Sequence, residues 1–465
     1  MVTIQKTELK EGILKGIEEA KKSGTSILVS VVQKVDSISP LSFFRVEKFQ
    51  GERFFWKHAT EEFYIVGLGI CKQMVTDQGA DRFFHVKKQW EHLMKHVIIQ
   101  KNDEVQGTGP TAFGCFSFDP LKEKTSLWSK FHDSIFRIPK YMLTIKNEQM
   151  YLTANVICSH RDDQTKVYEI EQEVEEILKN KWSRTEQYEE NSIYKRIDIN
   201  PEEWKETVKS VAKDLKHNDS LRKVVLAREL RLVFPHRVVI EKVLETLMQE
   251  QNNSFVFAFE SKGDCFIGAT PERLVKKEKE RVFSVCLAGS IGRGKTEEED
   301  FRLGYSLLND KKNLIEHQYV VDMIREAMNE TCYEVNIPES PQLFKLKHIQ
   351  HLYTPVTGKA NYDTTLLALV ERLHPTPALG GLPKEKANEK IREVEELDRG
   401  LFGAPIGWFD HLGNGDFSVA IRSGLIQGNE ASLFAGCGVV EDSLAEMEFE
   451  ETNIKFKPML SALGG

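Results

Sequence analysis

The chain has 465 residues, 40% of them hydrophobic and 29% charged, with a formal net charge of −8. Its length exceeds the roughly 100–200 residues of one average domain and predicts two or three units, or one large fold around a sizeable core. The acidic balance excludes a nucleic-acid surface, whose usual footprint is a basic stripe, and means that an anionic ligand needs locally gathered positive charge.

In chain order, the start "MVTIQKTELKEGILKG" lacks the apolar core of a secretory signal, and no later run of about 18 apolar residues follows to span a membrane. A cytoplasmic protein is expected. Residues 1–195 alternate strand-like runs such as "TSILVSVVQKV", "RFFWKH", "FYIVGLGIC" and "AFGCFSFD" with one helical stretch near 80–96. The "GLG" at 67–69 lacks the third glycine, the helix start and the later acid of a nucleotide loop, so it reads as a tight strand turn. Residues 166–183 read as a helix and "RTEQYEENSIYKR" as a connection.

Beyond about 200, "PEEWKETVKSVAKDLKHN" opens a helix on proline. The strand "KVVLARELRLVF" and a helix near 238–251 follow. "SFVFAFES", "CFIGATPERLVKK" and "RVFSVCLAGS" then read as strands before a long charged helix at about 296–329. After the strand "FKLKHIQHLYTPVTGKA" and the helix "TTLLALVERL", the chain ends in "APIGWFD", "DFSVAIRSGLI", "ASLFAGCGVV" and a last helix. Hairpins join strands as often as helical crossovers do, which predicts an α+β fold with large antiparallel sheets. Within it, 1–195 is a strand-rich N-terminal region of the same overall fold as a catalytic region at 196–465.

The seven cysteines (Cys71, Cys115, Cys158, Cys265, Cys286, Cys332, Cys437) are odd in number and never form C-x-x-C, so neither a disulfide framework nor a zinc site is suggested. The last helix poses a sharper question. In "EMEFEETNIK" (446–455), Glu448 and Glu451 share one face, and Lys455 continues it. Such a run is either a solvated face or a site for Mg²⁺, which takes one or two protein carboxylates and leaves its other positions to water and an anionic substrate.

Eight stretches in order, "KVVLARE" (223–229), "GATPERL" (268–274), "CLAGSIGRG" (286–294), "KNLIEHQYVVDMI" (312–324), "HPTPALGG" (374–381), "RGLFGAPIGW" (399–408), "FSVAIRSG" (417–424) and "AGCGVVEDSLAEMEFEETNIK" (435–455), resemble the chorismate-utilising enzymes. That family comprises isochorismate, salicylate, anthranilate and aminodeoxychorismate synthases. The resemblance covers the C-terminal 260 or so residues and is loose before them. It implies that Glu316 and Glu451, with Glu448 close by, hold a Mg²⁺ that receives the ring carboxylate of chorismate. By position in their motifs, Lys223 resembles the family's base and Glu272 its acid. Isochorismate formation needs both, since water adds at C2 while the C4 hydroxyl leaves. Burial shifts both groups toward the required protonation state. Arg422 and Lys455 resemble the cations that take the carboxylates, Arg422 the pyruvyl one. The amides of Gly436 and Gly438 approach the same groups, and Ser290 and His374 resemble pocket residues hydrogen-bonding the ring side.

Within the family, Ala288 stands where aminodeoxychorismate synthases carry a nucleophilic lysine, and Lys223 stands where anthranilate synthases have none. Both departures favour water over ammonia, with no amidotransferase subunit. Phe402 in place of a family tyrosine resembles the isochorismate synthases, and the long N-terminal part resembles the menaquinone-pathway ones among them. A salicylate synthase, a siderophore-pathway isochorismate synthase and a silent chorismate- or Mg²⁺-binding relative are the alternatives.

Overall fold

The computed structural model describes residues 6–77, 79–100, 104–179, 192–217, 220–346 and 349–465. Strands form where β-branched and aromatic residues run together, and among the described residues they build sheets of 13 and 10 strands. The larger runs from Lys195–Asp198 through Lys223–Val233, Glu430–Val439, Ser423–Gln427, Asp264–Thr270, Phe255–Ser261, Arg53–Lys57, Phe63–Leu68, Tyr141–Lys146, Gln149–Cys158 and Ile27–Val35 to Val97–Gln100, with Gly381–Leu382 beside Lys223–Val233. The smaller runs from Cys332–Asn336 through Ile349–Ala360, Arg281–Gly292, Arg273–Glu278, Gly415–Val419, Pro405–Asp410, Thr111–Phe116 and Ser134–Ile138 to Lys72–Thr76, with Gln342–Lys345 on Ile349–Ala360.

Ile27–Val35 and Val97–Gln100 pair in parallel; the other ladders among the described residues are antiparallel, as in the pairs that build the site. The fold is α+β, as the hairpin connections predict. Both sheets join strands from either side of residue 195: Arg53–Lys57 pairs with Phe255–Ser261, and Thr111–Phe116 with Pro405–Asp410.

The sheets meet through an aromatic layer in which Phe54 of one stacks on Phe113 of the other, ring centroids 4.5 Å apart, and Phe63 packs on Trp408 at 5.3 Å. Helices cover the outer faces. Lys6–Ser23 and Gln164–Lys179 lie on the larger sheet. Arg82–Met94, Lys311–Thr331 and Leu366–Leu373 lie on the smaller. No helix among the described residues is long and apolar enough to cross a membrane.

Several helices differ from the sequence reading, Pro40–Phe44 and Lys384–Val394 among those not anticipated. Lys6–Ser23 was not anticipated, because Gly12 and Gly16 lower its propensity, yet Leu9, Ile13, Ile17 and Ala20 form a buried stripe against the sheet. The charged helix expected at 296–329 is two, Glu297–Asn309 and Lys311–Thr331. Asp310 between them leaves helical geometry and accepts a hydrogen bond from the Asn313 amide at 2.7 Å, an N-cap in mid-run. Of the expected connection "RTEQYEENSIYKR", residues up to 191 lie outside the described residues; Lys195 already opens a strand.

Candidate active site

The strand Lys223–Val233 is buried along most of its length, its charged residues Lys223, Arg228 and Glu229 included. Val225 pairs with Gly438 on one side, and Lys223 with Leu382 on the other. A Cβ at Gly438 would stand 2.5 Å from Lys223 Cε, and one at Gly381 would stand 2.1 Å from the Lys223 carbonyl oxygen. These two glycines let the lysine stem and its backbone pass. The Lys223 Nζ donates to Glu316 Oε1.

Glu316 comes from the helix Lys311–Thr331, which His317 fastens to the sheet. Its buried ring donates from Nδ1 to the Ala288 carbonyl at 2.9 Å and places Nε2 2.7 Å from Thr354 Oγ1. Burial pushes the Glu316 carboxyl up, but Lys223 outweighs it and holds the group below its ordinary range.

Glu272 sits in the turn between Asp264–Thr270 and Arg273–Glu278; its carbonyl accepts from the Val419 amide at 3.0 Å. Burial raises its carboxyl to about 7, against the pull of Arg422, Lys455 and Lys223. Arg422 has φ +50°, and its carbonyl takes the Ala269 amide at 3.1 Å. Burial lowers its guanidinium to about 10, opposed by Glu451 and Glu272.

The last helix, Ala445–Ala462, brings Glu448, Glu451 and Lys455 to the same place. Lys455 Nζ donates to the Gly436 carbonyl at 2.7 Å and pairs with Glu451 at 2.6 Å. Glu448 is pushed up by burial and by Glu451, while Ser443, Cys437 and Lys455 pull it down.

These side chains, with Ser290, Gly436 and Gly438, line one cavity of about 260 Å³. His374 does not line it. Its ring is 5% exposed, donates from Nε2 to the Phe118 carbonyl at 3.0 Å and packs edge-on against the Phe118 ring, so the histidine is satisfied by main chain behind the site. Burial holds it neutral. The turn after the helix Leu366–Leu373 is itself core, which is why a histidine there serves structure.

The cavity wall also contains residues that the sequence reading passed over. His351 Nδ1 lies 2.6 Å from Ser290 Oγ, its Nε2 is buried without a hydrogen-bond partner among the described residues, and burial with Arg422 and Lys455 holds the ring neutral at about 3. Ser290 and His351 are cross-strand partners in register, a pairing of residues 61 apart that no local pattern encodes. Arg399 ties the wall together, donating to the carbonyls of Leu379 and Val225 at 3.0 and 2.7 Å and to both oxygens of Glu395. Lys312 adds a further cation at the wall.

Lys223, Lys312, Arg399, Arg422 and Lys455 thus face Glu272, Glu316, Glu448 and Glu451 around one hollow. With Glu272 partly protonated near neutrality, the cavity is cationic although the chain carries −8. A larger hollow of about 360 Å³ farther along the Lys223 strand mixes both signs and lacks these groups. For a metal, no preformed cluster of three acidic, histidine or cysteine groups exists among the described residues. Mg²⁺ demands fewer: one or two carboxylates beside a substrate anion suffice. Glu316, from one helix, and Glu448 and Glu451, from another, line the same cavity, two of them held by lysines, and offer that donor set.

Two largely antiparallel sheets thus hold one cavity lined by lysines, arginines and glutamates. The chorismate binding enzyme family matches residues 15–464, and the chain belongs to it. It is 44% identical to the isochorismate synthase MenF of Bacillus subtilis, covering 100% of this chain and 99% of that protein. It is 31% identical to the salicylate biosynthesis isochorismate synthase of Pseudomonas aeruginosa, over 97% and 94% of the two chains. Among solved structures, MenF, the menaquinone-specific isochorismate synthase of Escherichia coli, shares the fold with a TM-score of 0.79 at 20% identity, over 97% of this chain and 100% of that one.

Proposed function

We propose that the protein is an isochorismate synthase that converts chorismate to isochorismate, with Mg²⁺ as cofactor and menaquinone biosynthesis as its setting. The observation that carries this reading is one cationic cavity holding both Lys223 and Glu272, with Ala288 at the amine-forming position. Full-length likeness to an isochorismate synthase supports it.

Lys223 removes a proton from the water that adds at C2. Glu272 gives a proton to the departing C4 hydroxyl, which leaves as water while the ring double bonds shift. Atoms balance, one water entering and one leaving. Arg422 offers a planar fork to the pyruvyl carboxylate. The neutral His351 ring, bonded to Ser290 through one nitrogen, keeps the other free for a substrate oxygen. Glu316 and Glu451, with Glu448, are the residues that would hold Mg²⁺, which when bound supplies a positive charge for the ring carboxylate.

Purified protein incubated with chorismate, with and without Mg²⁺, tests the reading by chromatography of products. Isochorismate formed in the presence of Mg²⁺ is expected. Salicylate with pyruvate would move the protein to the pyruvate-eliminating branch, and chorismate bound without turnover would make it a silent relative.

A further inference from the structure

The helix Ala445–Ala462 can serve the cavity only in one rotation about its axis, because successive residues are about 100° apart and a one-residue slip would turn Glu448 and Glu451 away. Something must fix that rotation. Hydrophobic packing of Ala445, Phe456, Met459 and Ala462 supplies part of it, leaving the polar stretch around Glu448 and Glu451 to a directional contact.

The strand that begins with Lys223 supplies the fixture. Arg228, 2% exposed, lies with its guanidinium carbon 3.9 Å from the Phe449 ring centroid and 4.8 Å from that of Phe456. Its Nε donates to Thr452 Oγ1 at 2.7 Å and its Nη2 to Asn453 Oδ1 at 2.6 Å. Nη1 donates to Asp198 at 2.7 Å, and the Thr452 hydroxyl donates to the Phe449 carbonyl at 2.6 Å. The gripped residues are chain neighbours of the cavity residues: Phe449 follows Glu448, Thr452 follows Glu451, Phe456 follows Lys455.

We propose that Arg228 is a positioning residue for the reaction, locking the rotation of the last helix so that Glu448 and Glu451 meet the metal and Lys455 the substrate. The proposal rests on the reading of those carboxylates as the Mg²⁺ site. A buried charge with one carboxylate partner is costly where apolar filling is available. Its planar fork is spent on two consecutive helix side chains, a geometry that lysine's point charge cannot reproduce.

The test uses the full-length protein and the variant Arg228→Lys. Mg²⁺ affinity is measured by calorimetry without chorismate, the Mg²⁺ concentration for half-maximal turnover by kinetics, and folding by thermal unfolding of the metal-free protein. Partners behind metal ligands typically change affinity by about 10–100-fold, so both metal readouts are expected to weaken at least about tenfold, with kcat recovering at high Mg²⁺. Lower thermal stability with unchanged metal readouts would overturn the proposal and leave Arg228 a packing residue. If Arg228→Lys does not fold, Thr452→Val and Asn453→Ala carry the test, each removing one acceptor while keeping the guanidinium. Each is expected to weaken Mg²⁺ binding, and wild-type affinity in both would overturn the clamp. Absence of isochorismate formation by the wild type would instead overturn the functional reading, so the two failures are distinguishable.

Discussion

At the scale of single residues, Glu272 ties catalysis to stability. Burial raises its carboxyl from the ordinary 4.5 to about 7, so the folded state binds this proton more tightly than the unfolded chain does. The favourable difference is complete below about pH 4.5 and is lost as pH rises through 7. A general acid must carry its proton, so kcat/KM is expected to fall above about pH 7, read from a pH–rate profile. Glu272→Gln keeps a neutral side chain at every pH. It should lower turnover by about 10²–10⁴-fold, yet stabilise the protein by up to about 3 kcal/mol at pH 8 and not at all near pH 4.5, measured by denaturant unfolding. Equal stability of both proteins at pH 8 would remove the burial argument. Glu451→Gln tests the other wall: the Mg²⁺ concentration for half-maximal turnover should rise at least about tenfold, and wild-type dependence would make the last helix a solvated face. That Lys223, Glu272, Glu316 and Arg422 line one cavity was legible because each sits in a short motif. His351 was not, because its partner Ser290 is brought to it by strand pairing alone. His374 misled because motif position says nothing of whether a ring faces a cavity or, as here, the Phe118 carbonyl.

At the scale of elements, the site depends on two chain segments passing closer than side chains allow. Gly438 pairs with Val225, and a Cβ there meets Lys223 Cε at 2.5 Å and Nζ at 3.1 Å. The obstacle is the far end of a flexible side chain, so Gly438→Ala should fold with little loss of stability while its turnover falls at least about tenfold as the lysine is pushed from its place. Wild-type kcat in a well-folded Gly438→Ala protein would show that the base tolerates displacement. Strands and amphipathic helices were read well from their periods. The break at Asp310 was not, since the charged run around it continues unaltered and one N-cap bond decides it. The first helix was missed for the converse reason: two glycines mask a stripe whose burial is supplied by the sheet beneath.

At the scale of the whole molecule, the motifs cluster beyond residue 200, while the strand ladders tie that part to residues before 195. Phe255–Ser261 has Arg53–Lys57 as one neighbour, and Pro405–Asp410 has Thr111–Phe116, so residues from before 195 form one contiguous end of each sheet, joined to the rest in mid-sheet. The aromatic layer between the sheets likewise joins Phe54, Trp56, Phe113 and Trp128 to Phe257, Phe266, Trp408 and Phe434. Removing 1–195 would bare two long apolar strand edges and half of that layer, and such edges template aggregation. A fragment spanning 196–465 is therefore expected to be insoluble or to lack fixed tertiary structure by near-ultraviolet circular dichroism, and the intact chain to unfold in one transition by calorimetry and by circular dichroism. A soluble fragment with native near-ultraviolet signal and chorismate turnover would show that the C-terminal region folds by itself. The physical weight is against it, because Phe255–Ser261, which pairs with the strand leading into the Glu272 turn, is one of the two strands that lose a neighbour.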